Sequence, residues 1–185
     1  MLYLAYGSNL HPLRLQERVP SAALVGVVRL DGYRMLFAKQ SHDGSGKCMI
    51  VPAQENLAVV YGAIYEIEPG EKPRLDAAEG RGAGYEDHSL SCEWAGETIS
   101  PFTYLAQEGY IDADLRPYRW YLDMAIEGAR YHGFADDYIA ALAKTSAIPD
   151  PDAERNRENQ ARVAAMVACN KQRARPGSDF ELTAK

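Results

Sequence analysis

The chain has 185 residues, 46% hydrophobic and 25% charged, with a net charge of −6 and a pI near 5.3. That length suits one domain able to bury roughly two thirds of its unfolded surface, and the acidic balance disfavours phosphate-backbone binding, so nucleic acid is not an expected partner. Three cysteines in no CxxC spacing, no run near the ~18 apolar residues of a membrane span, and no basic segment with a cleavage site after Met1 predict a cytoplasmic protein without disulfide framework, zinc site, signal peptide or membrane contact.

The apolar run 2–6 reads as a strand that breaks on Gly7, Ser8 and Asn9 in "YLAYGSNL". Further strand segments, β-branched or aromatic-rich, lie at 22–30, 33–38, 48–51, 58–67, 85–92 and 98–106, with Asp31-Gly32 and Gly96-Glu97 read as hairpin turns. One helical piece interrupts them at 69–80. After Pro117 the period changes: Tyr118, Tyr121, Leu122, Ala125, Ile126 and Ala129 recur at three- and four-residue steps, predicting a helix that ends near Gly133. A second helix is expected at about 135–144 and a third from Asp152 to about Lys171, its large apolar members being Val163, Met166 and Val167. The residues from Arg173 on read as a mixed-charge tail. These elements predict an α+β fold: a small mixed, mainly antiparallel β-barrel with flanking C-terminal helices, residues 1–148 forming the body and 149–185 a helical extension and tail of the same domain.

Familiar catalytic motifs such as GxSxG, a Walker loop or HExxH are absent. The glycine-rich "EGRGAGYE" leaves a helix and enters a strand, the reverse of what pyrophosphate binding requires. The four histidines, His11, His42, His88 and His132, are scattered and read as surface or hydrogen-bonded structural groups. Glu79 stands out. It occupies the last turn of a short helix whose Leu75 and Ala78 share a face, and there the negative end of the helix dipole opposes its ionisation by ~0.3–1 kcal/mol. Partial burial would suit such a group to taking and returning a proton. An exposed Glu on a frayed turn is the simpler local reading, and Asp76, one turn earlier, is a competing carboxylate.

"YLAYGSNL" followed by "LDAAEGRGAGYE" resembles the γ-glutamylcyclotransferase (AIG2-like) family, whose members carry a YGSNL loop and a later D-x-x-E-G with a following G-Y. The likeness continues through "PSAALVGVVRLDGYRMLF", "VYGAIYEI" and "PYRWYLDMAIEGARYHG", and spans residues 1–145 in order. The resemblance implies a small β-barrel with flanking helices that cyclises a γ-glutamyl group to 5-oxoproline and releases the attached amine. Because the substrate's own α-amino group attacks its side-chain carbonyl, no enzyme nucleophile, metal or other cofactor is implied.

Residue by residue, the resemblance makes Glu79 general base and then general acid. It sets the glutamyl oxygens against backbone N–H groups of Gly7, Ser8, Asn9 and Leu10, with Tyr3, Leu4, Ala5 and Tyr6 as the strand that holds this loop. It makes Tyr121 a residue that closes over the bound group, although its place on the apolar stripe also fits core packing, and Tyr118 is the alternative if the register slips by a turn. Lys47 and Cys48 depart from many relatives and are expected to border the pocket. The residues after about 150 match no family motif, so a role over the site or in a homodimer stays open. Three functions stay open as well: cyclisation of a small γ-glutamyl amino acid or amine, removal of a γ-glutamyl protecting group from a larger intermediate, and non-catalytic binding of acidic metabolites.

Overall fold

In the computed structural model, which describes residues 1–53 and 58–174, β1 (Leu2–Ala5) is the middle strand of a five-stranded sheet of order β2-β5-β1-β9-β6. Its partners β5 (Val59–Glu66) and β9 (Phe102–Ala106) are antiparallel and parallel to it, β2 (Ala23–Asp31) pairs antiparallel with β5, and β6 (Tyr85–Ser89) antiparallel with β9. A strand covered on both faces reads as a continuous apolar run. Accordingly Tyr3, Leu4 and Ala5 are all buried.

The α+β class and the mixed, mainly antiparallel pairing are as the sequence predicts, but the hydrogen-bonded sheet ends on β2 and β6 instead of closing. Asp31-Gly32 is a turn without being a hairpin. Gly32, at φ +77°, sends the chain away from β2, so that β3 (Tyr33–Gln40) pairs with β4 (Gly46–Pro52) in a separate ribbon.

Two long strands of the sequence reading are each broken in two. The segment 85–92 becomes β6 and β7 (Cys92–Trp94), and 98–106 becomes β8 (Glu97–Ile99) and β9. Pro101, which has no N–H for a ladder, sits at the second break. The β7–β8 turn is Ala95-Gly96, one residue before the pair read from sequence; both residues have positive φ, which suits the twist of a two-residue hairpin.

The helices follow the predicted periods closely. A 3-10 turn (Pro69–Glu71) leads into α2 (Lys72–Glu79), which stops at left-handed Gly80. The helix α3 (Arg119–Tyr131) buries nine of its residues, α4 (Asp136–Ala143) follows, and α5 (Ala153–Arg173) packs along α3. Val163 and Met166 are buried in that contact. Polar anchors supplement this thin stripe: Asp150 accepts from Trp120 Nε1 at 2.8 Å and pairs with Arg155, and Asn170 donates to the Glu127 carbonyl and carboxylate. Arg173, read as the start of a tail, closes α5; the rest of that tail, 175–185, lies outside the described residues.

The sequence reading assigns nothing to α1 (Pro12–Arg18). The His11 ring accepts from the Leu13 N–H as N-cap and Pro12 fills the first turn, so the start signal is present. Seven residues with Leu15 as the one buried member are too few to display a period. Among the described residues no helix is long and apolar enough to cross a membrane.

Candidate active site

The loop after β1 and the end of α2 meet in one pocket, holding about 290 Å³ of unfilled space including its mouth. Tyr3, Tyr6, Gly7, Ser8, Asn9, Glu79 and Tyr121 line it, together with Cys48, Tyr85, Thr103 and Tyr104. Leu4, Ala5 and Leu10 are not on its wall. All three belong to the core, each at most 1% exposed.

Leu10 anchors the loop from behind. Its carbonyl accepts from the Tyr65 hydroxyl at 2.5 Å and lies 2.7 Å from His132 Nε2. Its side chain lies against Gly128 of α3, where an added Cβ would come within 2.4 Å of it. The Leu10 N–H is used within the turn, donating to the Gly7 carbonyl at 3.0 Å. By contrast, the N–H groups of Gly7, Ser8 and Asn9 have no hydrogen-bond partner among the described residues. Successive free amides of this kind form a cradle for anionic oxygen. The expected donor set is thereby shortened by one.

Glu79 is held by two side chains. Asn9 Nδ2 donates to its Oε1 at 2.9 Å, and Arg18 Nη1 makes an ion pair with the same oxygen. Arg18 also donates to Asn9 Oδ1 at 2.9 Å, while Asn9 Nδ2 reaches the Tyr3 hydroxyl at 3.0 Å. The Asn9 amide orientation follows from these partners, its oxygen toward the cation and its nitrogen toward the carboxylate. Arg18 is the neighbour that sequence reading missed, and its signal was the unassigned α1. Asp76 is engaged elsewhere, accepting from Lys72 at 2.7 Å and from the Tyr104 hydroxyl at 2.6 Å.

The far wall is aromatic. Tyr121 accepts the Cys48 N–H at 3.2 Å, and the Tyr85 hydroxyl donates to the Cys48 carbonyl. Tyr118 points away and donates to the Asp43 carbonyl at 2.6 Å. Burial pushes the Tyr3, Tyr6, Tyr85 and Tyr121 hydroxyls well above their ordinary range and the Cys48 thiol up to about 12, so all of them stay protonated at neutral pH. Cys48 is therefore a pocket wall and not a thiolate nucleophile. Lys47 lies beside that wall, paired with Asp43 at 2.6 Å and set over the Tyr121 and Trp120 rings.

The chain is similar to known proteins in fold and in family. A solved structure described as "Gamma-glutamyl cyclotransferase" superposes with a TM-score of 0.77 at 25% identity, covering 89% of this chain and 98% of that one. An uncharacterized protein from Homo sapiens gives 0.76 at 26%, covering 88% and 97%. YkqA from Bacillus subtilis, at 18% identity, shares the fold with a TM-score of 0.66 over 80% of this chain and 56% of that one. No curated protein matches. The model of the family described as "Gamma-glutamyl cyclotransferase, AIG2-like" matches residues 3–123, which hold the whole pocket. With the YGSNL loop and the helix-end glutamate brought to one cavity, the chain belongs to the γ-glutamyl cyclotransferase, AIG2-like family.

Proposed function

We propose that this chain converts a γ-glutamyl group into 5-oxoproline, releasing the attached amino acid or amine. The observation that carries the reading is the 2.9 Å bond between Asn9 of the loop and Glu79, which puts a carboxylate beside free backbone amides in a pocket walled by protonated tyrosines.

In this reading the amides of Gly7, Ser8 and Asn9 receive the glutamyl oxygens and fold the substrate so that its α-amino nitrogen faces its own side-chain carbonyl. Holding both ends converts the attack into a step with a small entropy cost. Glu79 takes the proton that the nitrogen loses as the C–N bond forms, and the negative charge on the carbonyl oxygen is met by dipoles fixed before reaction. One such donor is worth ~3 kcal/mol in the transition state. Collapse breaks the bond to the leaving amine, whose nitrogen receives the proton back from Glu79. Arg18 and Asn9 hold the carboxylate in the one orientation that serves both transfers. Ser8 is a contact residue here, since the nucleophile belongs to the substrate.

The test is incubation of the purified protein with a panel of γ-glutamyl amino acids and γ-glutamyl amines, with 5-oxoproline measured directly. Release that exceeds the buffer rate supports the reading. Binding without release would make the chain a metabolite-binding module.

A further inference from the structure

Tyr121 is gripped at two points by adjacent residues of β4. The Cys48 N–H donates to its hydroxyl oxygen at 3.2 Å, and the Lys47 ammonium stands over its ring, 4.6 Å from the centre. With the Cys48 amide entering the oxygen, the hydroxyl hydrogen is left for Ser8, which faces it, or for a ligand in the pocket. The hydroxyl stands close to the loop: a Cβ added at Gly7 would lie 3.7 Å from it.

Lys47 is itself fixed. Its ammonium donates to Asp43 Oδ2 at 2.6 Å and to Ser45 Oγ at 2.8 Å, while Asp43 is held in turn by the Ser45 N–H and hydroxyl. Two of its three donors are thus spent, and the charge rests among three rings, with Trp120 at 4.9 Å and Tyr118 at 5.6 Å beside Tyr121. Asp150 and Arg155, from the C-terminal segment, act on the ammonium with opposite signs. A tyrosine ring has two torsions to fix before its hydroxyl is aimed. Swinging the Tyr121 ring would separate it from the cation as well as from the Cys48 amide, so the two contacts together set those torsions.

We infer that Lys47 is a positioning residue of the candidate active site: acting through the ring of Tyr121, it holds the Tyr121 hydroxyl where it donates to an oxygen of the bound glutamyl group. This rests on the cyclotransferase reading for the identity of that group. Lys47 stands behind the wall, outside the residues that line the pocket, and its effect passes through Tyr121 alone.

The test is a double-mutant cycle of Lys47→Met and Tyr121→Phe, with Lys47→Arg as the variant that keeps the charge. kcat and KM are taken from 5-oxoproline release, and urea unfolding is run on the same preparations. Lys47→Met is expected to lower kcat about three- to thirtyfold, the range of a desolvated cation–π contact, and Lys47→Arg to recover part of it. In Tyr121→Phe, which keeps the ring and lacks the hydroxyl, the same substitution should change kcat less than twofold, while its effect on stability is equal in both backgrounds. An equal fall of kcat in both backgrounds overturns the inference, as does an unchanged kcat in Lys47→Met. Where Lys47→Met does not fold, Ser45→Ala, which removes one of the two anchors of the ammonium, takes its place in the cycle. Where wild type releases no 5-oxoproline, the cycle is read by calorimetry with 5-oxoproline as the probe. Coupling of the two substitutions in binding then sustains the inference while overturning the cyclisation reading, and additive losses or no binding overturn both.

Discussion

Arg18 and Glu79, 61 residues apart in sequence, form an ion pair in which each side chain is about one-sixth exposed, and Asn9 bonds to both. The proposed proton carrier is therefore held by a cation from a helix that packs behind the loop. Replacing Glu79 by Gln keeps an acceptor oxygen for both neighbours and removes the base. The expected outcome is a fall in 5-oxoproline formation of roughly 10²–10⁴ in a protein that stays folded, its stability lowered only by the loss of the Arg18 ion pair. Equal rates for the two proteins would remove Glu79 from the mechanism.

Arg18→Met separates holding the carboxylate from being it. The substitution leaves Glu79 Oε1 with Asn9 alone and leaves Asn9 Oδ1 without its donor. Loss of one charged partner in a mostly buried network costs about 1–3 kcal/mol in stability. Turnover is expected to fall about tenfold, and Arg18→Lys, whose single ammonium can stand in for the one Nη1 that serves both acceptors, should recover part of it. Urea unfolding and kcat on the same preparations check both statements.

Gly128→Ala addresses the anchor of the loop. The new methyl carbon would sit 2.4 Å from Leu10 Cβ and 3.0 Å from the His11 nitrogen, in a helix–loop contact closed on both sides. Overpacking of this kind costs typically 1–3 kcal/mol. Because Leu10 carries the turn that presents Gly7, Ser8 and Asn9, KM should rise along with the loss of stability. A stable variant with unchanged KM would show that the loop is set by β1 alone.

Stability should fall on mild acidification. His11 is fully buried beside Tyr131 and His132, and burial lowers its pKa to about 4; burial also lowers that of His132. In the unfolded chain a histidine takes its proton near 6.5. Between these values the unfolded state binds more protons, so the contribution is complete above about pH 6.5 and is lost as pH falls toward 4. It amounts to about 2–3 kcal/mol for His11. Urea unfolding at pH 7 and pH 4.5 measures it, and His11→Gln should flatten the difference.

Asp150 is the joint between α5 and the body. It accepts from Trp120 and pairs with Arg155, which holds its carboxyl at about 2. Asp150→Ala leaves the Trp120 N–H buried without an acceptor, an expected loss of about 1–3 kcal/mol. Hydrogen exchange should show α5 opening ahead of the sheet; uniform exchange would mean that Val163 and Met166 suffice to hold it.

The amino-acid pattern by itself determined the strands of the sheet, the stop of α2 at Gly80 and the long helices, because alternation, three-and-four spacing and glycine are local signals. It also marked both halves of the pocket, since the Gly7-Ser8-Asn9 break and the helix-end Glu79 are each visible where they stand. What only the tertiary structure decided is which groups answer them. Arg18 comes from a helix too short to show a period, and Leu10 leaves the donor set because its N–H closes the turn. The sequence draws attention to Lys47, beside its future wall Cys48, yet Asp43 four residues away neutralises it. Counter-ions and free amides are properties of distance in space, and chain spacing carries no record of them.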